Sequence, residues 1–172
     1  MAPSKTALGI RPASLADLPK VMEIVRHTVV GMQEAGNDQW DSNYPLDDRF
    51  LTDIENAALY LAISDSGNTL GFITIDEEQA DEYASLSWQL AKPLVMHRVA
   101  VHPDAKGQGV ASFMEKHAVS IARAKAKDSI RVDTHSTNKP MQSFLEQCGY
   151  RKIGEMDYHG KDKPYFCYEK PL

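Results

Sequence analysis

Hydrophobic and polar positions follow two periods along this chain. Leu59–Ser64 and Thr69–Ile75 are apolar runs about the length of one strand, separated by Asp65-Ser66-Gly67-Asn68, which predicts a hairpin. Ser129–His135 alternates apolar and polar, as a half-buried strand does. Leu8–Arg11, closed by Pro12, and Leu94–Val101, closed by His102-Pro103, read as strands that proline terminates. A three- and four-residue spacing predicts helices elsewhere. Leu18, Val21, Met22, Val25 and Val29 form one stripe, opened by Ser14 with Asp17 in a capping-box arrangement. Phe50, Leu51 and Ile54 mark a second helix over Asp48–Ala57, and Ala111, Met114, Ala118, Ile121 and Ala122 mark a third. A fourth runs from Pro140 to Gly149, whose glycine suits a left-handed cap. Tyr150–Tyr158 and Tyr165–Glu169 read as closing strands, and Tyr83–Leu90 as a further short strand anchored by Trp88.

Composition narrows the class. The chain has 172 residues, 42% of them hydrophobic and 25% charged, which fits one globular domain spanning 1–172 with a core over about 8–172. A net charge of −5 with no basic stripe argues against nucleic acid. Cys148 and Cys167 make no secreted disulfide framework, and no Cys/His spacing suits zinc, so no metal is expected. Met1–Thr6 carry no apolar signal region and no run approaches the length of a membrane span. A cytoplasmic protein is the expectation.

The chemistry centres on Val99-Ala100-Val101-His102-Pro103-Asp104-Ala105-Lys106-Gly107-Gln108-Gly109-Val110-Ala111. Strand, glycine-bearing loop and helix N-terminus gather backbone N–H groups around an anion. No lysine follows Gly109, which excludes a Walker A loop, and Ser112 stands where a dinucleotide fingerprint needs Gly or Ala. A glycine turn without ligand is the alternative reading of the loop alone.

Lys106-Gly107-Gln108-Gly109-Val110-Ala111 fits Q/R-x-x-G-x-G/A, the pyrophosphate loop of the GNAT superfamily of acyl-CoA-dependent N-acyltransferases, which this chain resembles. The segment Asn138–Tyr150 looks like that family's late helix with its terminal Gly-aromatic pair. Lys106 replaces the usual Arg or Gln, and Leu145 stands where many members carry a tyrosine. The resemblance implies an α/β (α+β) GNAT fold: a mixed sheet of about seven strands with a parted parallel pair, flanked by about four helices. It implies acetyl-CoA as co-substrate, paired with Val99 and Val101 and held by Lys106, Gly107, Gln108, Gly109, Val110, Ala111 and Asn138. The loop between the first two helices would line the acceptor pocket, with Trp40 and Tyr44 as walls or, equally, as anchors to the core.

Acyl transfer to an amine needs a proton acceptor, because an alkylammonium near pKa 10.4 has no lone pair at neutral pH. His97, in His-x-Val-Ala-Val, resembles the proton-relaying histidine of arylalkylamine N-acetyltransferases. A histidine hydrogen-bonded in the sheet is the alternative. Glu77 and Glu78, in the acidic run Asp76–Glu82, and His135 are further candidate bases. Asp133 could orient an amine or stabilise the fold. Three functions stay open: acetylation of a small-molecule amine or amino acid, acetylation of a peptide or protein, and non-catalytic CoA sensing. A homodimer is compatible with each.

Overall fold

The computed structural model describes residues 7–172, so Met1–Thr6, read above for a targeting signal, lie outside the described residues. The order is β1 (Leu8–Pro12), α1 (Leu18–Glu34), α2 (Asp47–Glu55), β2 (Leu59–Ser64), β3 (Thr69–Asp76), β4 (Pro93–Val101), α3 (Val110–Ala124), β5 (Ser129–His135), α4 (Lys139–Gln147), β6 (Arg151–Met156) and β7 (Tyr165–Pro171). The strands form one seven-stranded sheet in the order β1-β2-β3-β4-β5-β7-β6. Every neighbouring pair is antiparallel except β4–β5, which is parallel.

Period-2 alternation sends successive side chains to opposite faces, and helices cover both. Leu61, Phe72 and Ala100 pack with Val21, Ile24, Val25 of α1 and Phe50 of α2. Their strand neighbours Ala62 and Ile73 pack with Met114, Ala118 and Ala122 of α3. Ser14 and Asp17 form the expected capping box, the Ser14 N–H donating to Asp17 Oδ2 at 2.7 Å. Gly149 follows α4 at φ +92°, the left-handed region open to glycine.

Two features depart from the sequence reading. Tyr83–Leu90 is not a strand; a short 3-10 turn spans Asp81–Ser85. Its neighbours β3 and β4 are already paired to each other, so no edge is free for it. Within the segment the N–H groups of Tyr83, Leu86 and Trp88 close local turns onto the Ala80, Tyr83 and Leu86 carbonyls, and the Gln89 N–H donates to Glu169 Oε1. Trp88 does anchor it, its indole N–H donating to the Tyr83 carbonyl at 2.8 Å. The second departure is a bulge in β4. Thr74 faces His97 and Phe72 faces Ala100, so Arg98 and Val99 together oppose Ile73. Arg98 absorbs the extra residue at φ +41°.

Candidate active site

β4 and β5 pair only over Pro93–Val95 and Ser129–Arg131. Beyond that they part, and the space between them is a cleft of about 530 Å³. Its walls are Met96–Val101 of β4, Val132 and Asp133 of β5, Thr28, Gly31 and Met32 of α1, Trp40, and the start of α4 with Asn138. Lys106, Gly107 and Gly109–Ser112 close one end.

The His102 N–H donates to the Leu70 carbonyl at 2.7 Å. By alternation the main-chain groups of Val101 and Val99 turn away from β3 towards the cleft. They meet no strand there, because the parallel pairing has ended.

The loop after β4 begins with a 3-10 turn over Pro103–Ala105, fixed by the Asp104 N–H donating to His102 Nδ1 at 3.2 Å. Gly107 and Gly109 then adopt φ +76° and +80°, where an L side chain is strained. No protein atom lies within 4 Å of a Cβ built on either, so conformation rather than crowding demands glycine. The first intrahelical bond of α3 runs from Phe113 N–H to Gly109 O. The N–H groups of Val110, Ala111 and Ser112 therefore precede the ladder and stand ready for an anion. Lys106 is exposed beside them. Gln108 turns its side chain back onto the Asp104 carbonyl at 2.9 Å.

A smaller polar recess of about 60 Å³ continues from the cleft, lined by Trp40, Tyr44, His97, Arg98, Asp133, Tyr158, His159 and Tyr165, among others. His97 and Asp133 line both cavities. His97 Nε2 lies 2.8 Å from Asp76 Oδ1. Burial pushes the Asp76 carboxyl up, but the His97 hydrogen bond and charge, with the Glu78 N–H, outweigh it and hold the group below the usual carboxylate range. An ionised carboxylate only accepts, so the neutral imidazole carries its proton on Nε2 and keeps the lone pair on Nδ1. Asp133 Oδ2 accepts from Tyr83 Oη at 2.6 Å. Burial raises the Asp133 pKa against the lowering effects of Tyr83, His97, His159 and Arg98.

Arg98 reaches away from the cleft to Asp53 of α2, donating from Nε at 2.7 Å and from its second terminal nitrogen at 2.9 Å, and it also meets Tyr44 Oη at 3.2 Å. Gln39 Oε1 accepts from Thr134 Oγ1, the His135 N–H and Asn138 Nδ2, which ties the loop after α1 to the end of β5. Lys161 and Asp41, 2.7 Å apart, clasp that loop to the β6–β7 loop.

The sequence-predicted residues thus divide. Val99, Val101, Lys106, Gly107, Gly109, Val110, Ala111, His97, Asp133, Asn138 and Trp40 meet at the cleft, and Tyr44 joins at the recess. Asn138 is buried there with both ends of its amide engaged, since its Oδ1 also accepts from the Met141 N–H at 3.2 Å. Trp40 both lines the cleft and stacks on Phe72 in the core. Glu77 and Glu78 are exposed, paired with Lys127 and Arg49, and line neither cavity. His135 is buried behind Thr137 and Tyr165 and lines neither cavity. Leu145 is core. Sequence reasoning missed Asp76, Asp53, Gln39 and the recess residues Tyr158 and Tyr165; two consecutive polar residues, His97-Arg98, inside an apolar strand were the available sign of the bulge.

A parallel pair that parts beside a glycine-bearing loop is the arrangement of the GNAT fold. The chain belongs to the acetyltransferase (GNAT) family, whose model matches residues 26–150. It is 21% identical over 112 residues to a peptidyl-lysine N-acetyltransferase, YjaB, of Salmonella typhimurium, a match covering 65% of this chain and 63% of that protein. The chain thus spans under two thirds of that relative's length. Among solved structures it is similar to a GNAT acetyltransferase of Streptococcus agalactiae, with TM-score 0.82, 22% identity and coverage of 96% and 95% of the two chains. It is also similar to the PaiA N-acetyltransferase of Thermoplasma acidophilum in complex with coenzyme A, with TM-score 0.72, 18% identity and coverage of 96% and 99%. At these identities the structural likeness is one of fold. Among the described residues no helix is long and apolar enough to cross a membrane.

Proposed function

We propose that this chain transfers the acetyl group of acetyl-CoA to a primary amine of a small molecule by direct attack. The observation that carries this is the junction of the two cavities, where His97, backed by Asp76, and Asp133, backed by Tyr83, face one space beside β4.

In this reading the cofactor's pantetheine amides pair with the free main-chain groups of Val99 and Val101 as an added strand would. Its pyrophosphate lies on the N–H groups from Lys106 to Ala111, with Lys106 as a point charge. The main-chain donors of the bulged segment meet the oxyanion. The amine enters the recess as an ammonium, and Asp133 steadies it. His97 Nδ1 takes its proton, directly or through one water, and Asp76 stabilises the imidazolium. Leu145 supplies no acid for the departing sulfur. A thiol near pKa 8.5 is a tolerable leaving group without one.

The size of the recess favours a slender amine. Arg98 is already engaged by Asp53, so the recess offers no uncommitted guanidinium for the carboxylate of an α-amino acid. The Tyr44–His159 ring contact, centroids 4.7 Å apart, forms part of its wall. A peptide acceptor is the second reading, supported by the Salmonella relative's name; a lysine side chain is itself slender, but its backbone must fit past Tyr44 and His159. Thiol release from acetyl-CoA, measured over a panel of small aliphatic amines, amino acids and lysine peptides, separates the readings. Fastest turnover with lysine peptides would favour the second. Tight CoA binding with no turnover on any amine would favour a sensor.

A further inference from the structure

Outside the cleft, three metal-ligating side chains converge at the junction of α1 with the turn before the anion loop. We infer that Glu23, His27 and His102 form a binding site for a zinc-class divalent cation. Glu23 and His27 are four residues apart on α1, so they share one helix face, and His102 closes β4 against it. One donor atom from each lies within 4.8 Å of the other two. Glu23 Oε1 lies 3.7 Å from His102 Nε2, and the two imidazole rings lie 5.6 Å apart at 66°.

Those separations suit a shared ion. Metal–nitrogen and metal–oxygen bonds of about 2.0–2.1 Å in a tetrahedron place donors roughly 3.4 Å apart. His27 is exposed and Glu23 half-buried, so side-chain rotation closes the remaining gap without backbone movement. His102 is the fixed member, its own N–H bonded to Leu70. His102 Nδ1 now accepts from the Asp104 N–H at 3.2 Å; an ion on Nε2 moves the ring proton to Nδ1 and displaces that long hydrogen bond, and Asp104 Oδ2, 3.8 Å from Nδ1 on an exposed side chain, can turn to accept the proton in its place. A carboxylate behind a ligating imidazole is the usual support for such a ligand. Lys20 now pairs with Glu23 at 3.0 Å, an exposed contact that a divalent ion would displace.

Two imidazoles and one carboxylate select the borderline metals, zinc, cobalt or nickel, over calcium and magnesium, which prefer all-oxygen shells. The fourth position is left to solvent. Such an ion would cross-link α1, whose Thr28 and Gly31 line the cleft, to the turn leading into Lys106–Gly109.

The test titrates ZnCl2 into tag-free, chelator-treated protein by calorimetry, with CoCl2 absorbance reporting four-coordinate geometry. One-to-one binding is expected. His27→Ala and His102→Ala should each weaken it by more than about tenfold, since losing a direct ligand costs more than losing a supporting hydrogen bond. His117→Ala, at a histidine outside the cluster, should leave it unchanged. His27 is exposed, so its variant tests the site even if replacing His102 disturbs the turn. Absence of saturable binding, or binding that survives His27→Ala, would overturn the assignment.

Discussion

Arg98→Met tests what holds the bulge of β4 in place. The guanidinium and the Asp53 carboxylate are 5% and 2% exposed, so no solvent discount applies. Both donors of the fork contact Asp53, and Thr74 Oγ1 donates to the same carboxylate at 2.9 Å. Methionine keeps the length of the side chain but leaves that carboxylate buried, with only Thr74 bonded and Arg49 3.6 Å away. Breaking a buried pair from one side typically costs about 3–5 kcal/mol, a third or more of the stability of many domains. For this chain length that corresponds to a melting temperature lower by roughly 6–20 °C. Pairing the change with Asp53→Leu removes both charges and should recover most of the loss, because apolar replacements of buried pairs are often neutral. Urea unfolding of the wild type, both single variants and the double variant closes the cycle. A single-variant loss below about 1 kcal/mol, or no recovery in the double variant, would refute the claim that this pair anchors the bulge.

His97→Gln should lower kcat/KM at neutral pH by about 10²-fold while CoA affinity measured by calorimetry holds, since Gln cannot accept the amine's proton. Gly109→Ala should weaken acetyl-CoA binding measurably while circular dichroism stays native, because a Cβ meets no protein atom and carries only a left-handed backbone strain of about 1–2 kcal/mol. Trp40→Ala should raise the acceptor KM and also destabilise by about 3–5 kcal/mol in urea unfolding, as the ring belongs to both cleft and core. Asp133 has a folded pKa above its unfolded value, so the native state binds the extra proton between the two and stability falls as pH rises through that window. Asp133→Asn should therefore flatten that descent in melting temperature plotted against pH.

Much of the fold was legible because the periods were clean. The hairpin turn at Asp65–Asn68, the stripe on α1 and the proline after β4 each reflect a local constraint that tertiary packing did not override. Tyr83–Leu90 misled because its alternation was real while no sheet edge remained for it. The glycine loop was readable from its spacing, and the structure gives the local reason for glycine there: Gly107 and Gly109 take positive φ with open space around them. The acceptor side was not readable. Asp76 and His97 are 21 residues apart and meet only through the β3–β4 register, and Asp53 reaches Arg98 from α2 across 45 residues. Glu77 and Glu78 were plausible bases by their nearness in sequence to β4, but the chain turns them outward onto Lys127 and Arg49.

The bulge connects these observations. A regular β4 would continue its parallel ladder with β5, and one face of every residue would be fixed by that ladder. Inserting Arg98 at φ +41° bends the strand just after the last paired residues. Its side chain is drawn to α2 on one side, and Val99 is left with main-chain groups directed into the gap. His97 sits one residue before the turn, opposite Thr74 and within reach of Asp76 at the end of β3. The irregularity therefore does two things at once. It opens the cleft, and it brings the paired imidazole beside the strand segment that the cofactor would join. Shortening β4 by deleting Arg98 should restore the register, close the gap and remove cofactor binding together with activity, whereas loss of His97 alone should leave binding in place.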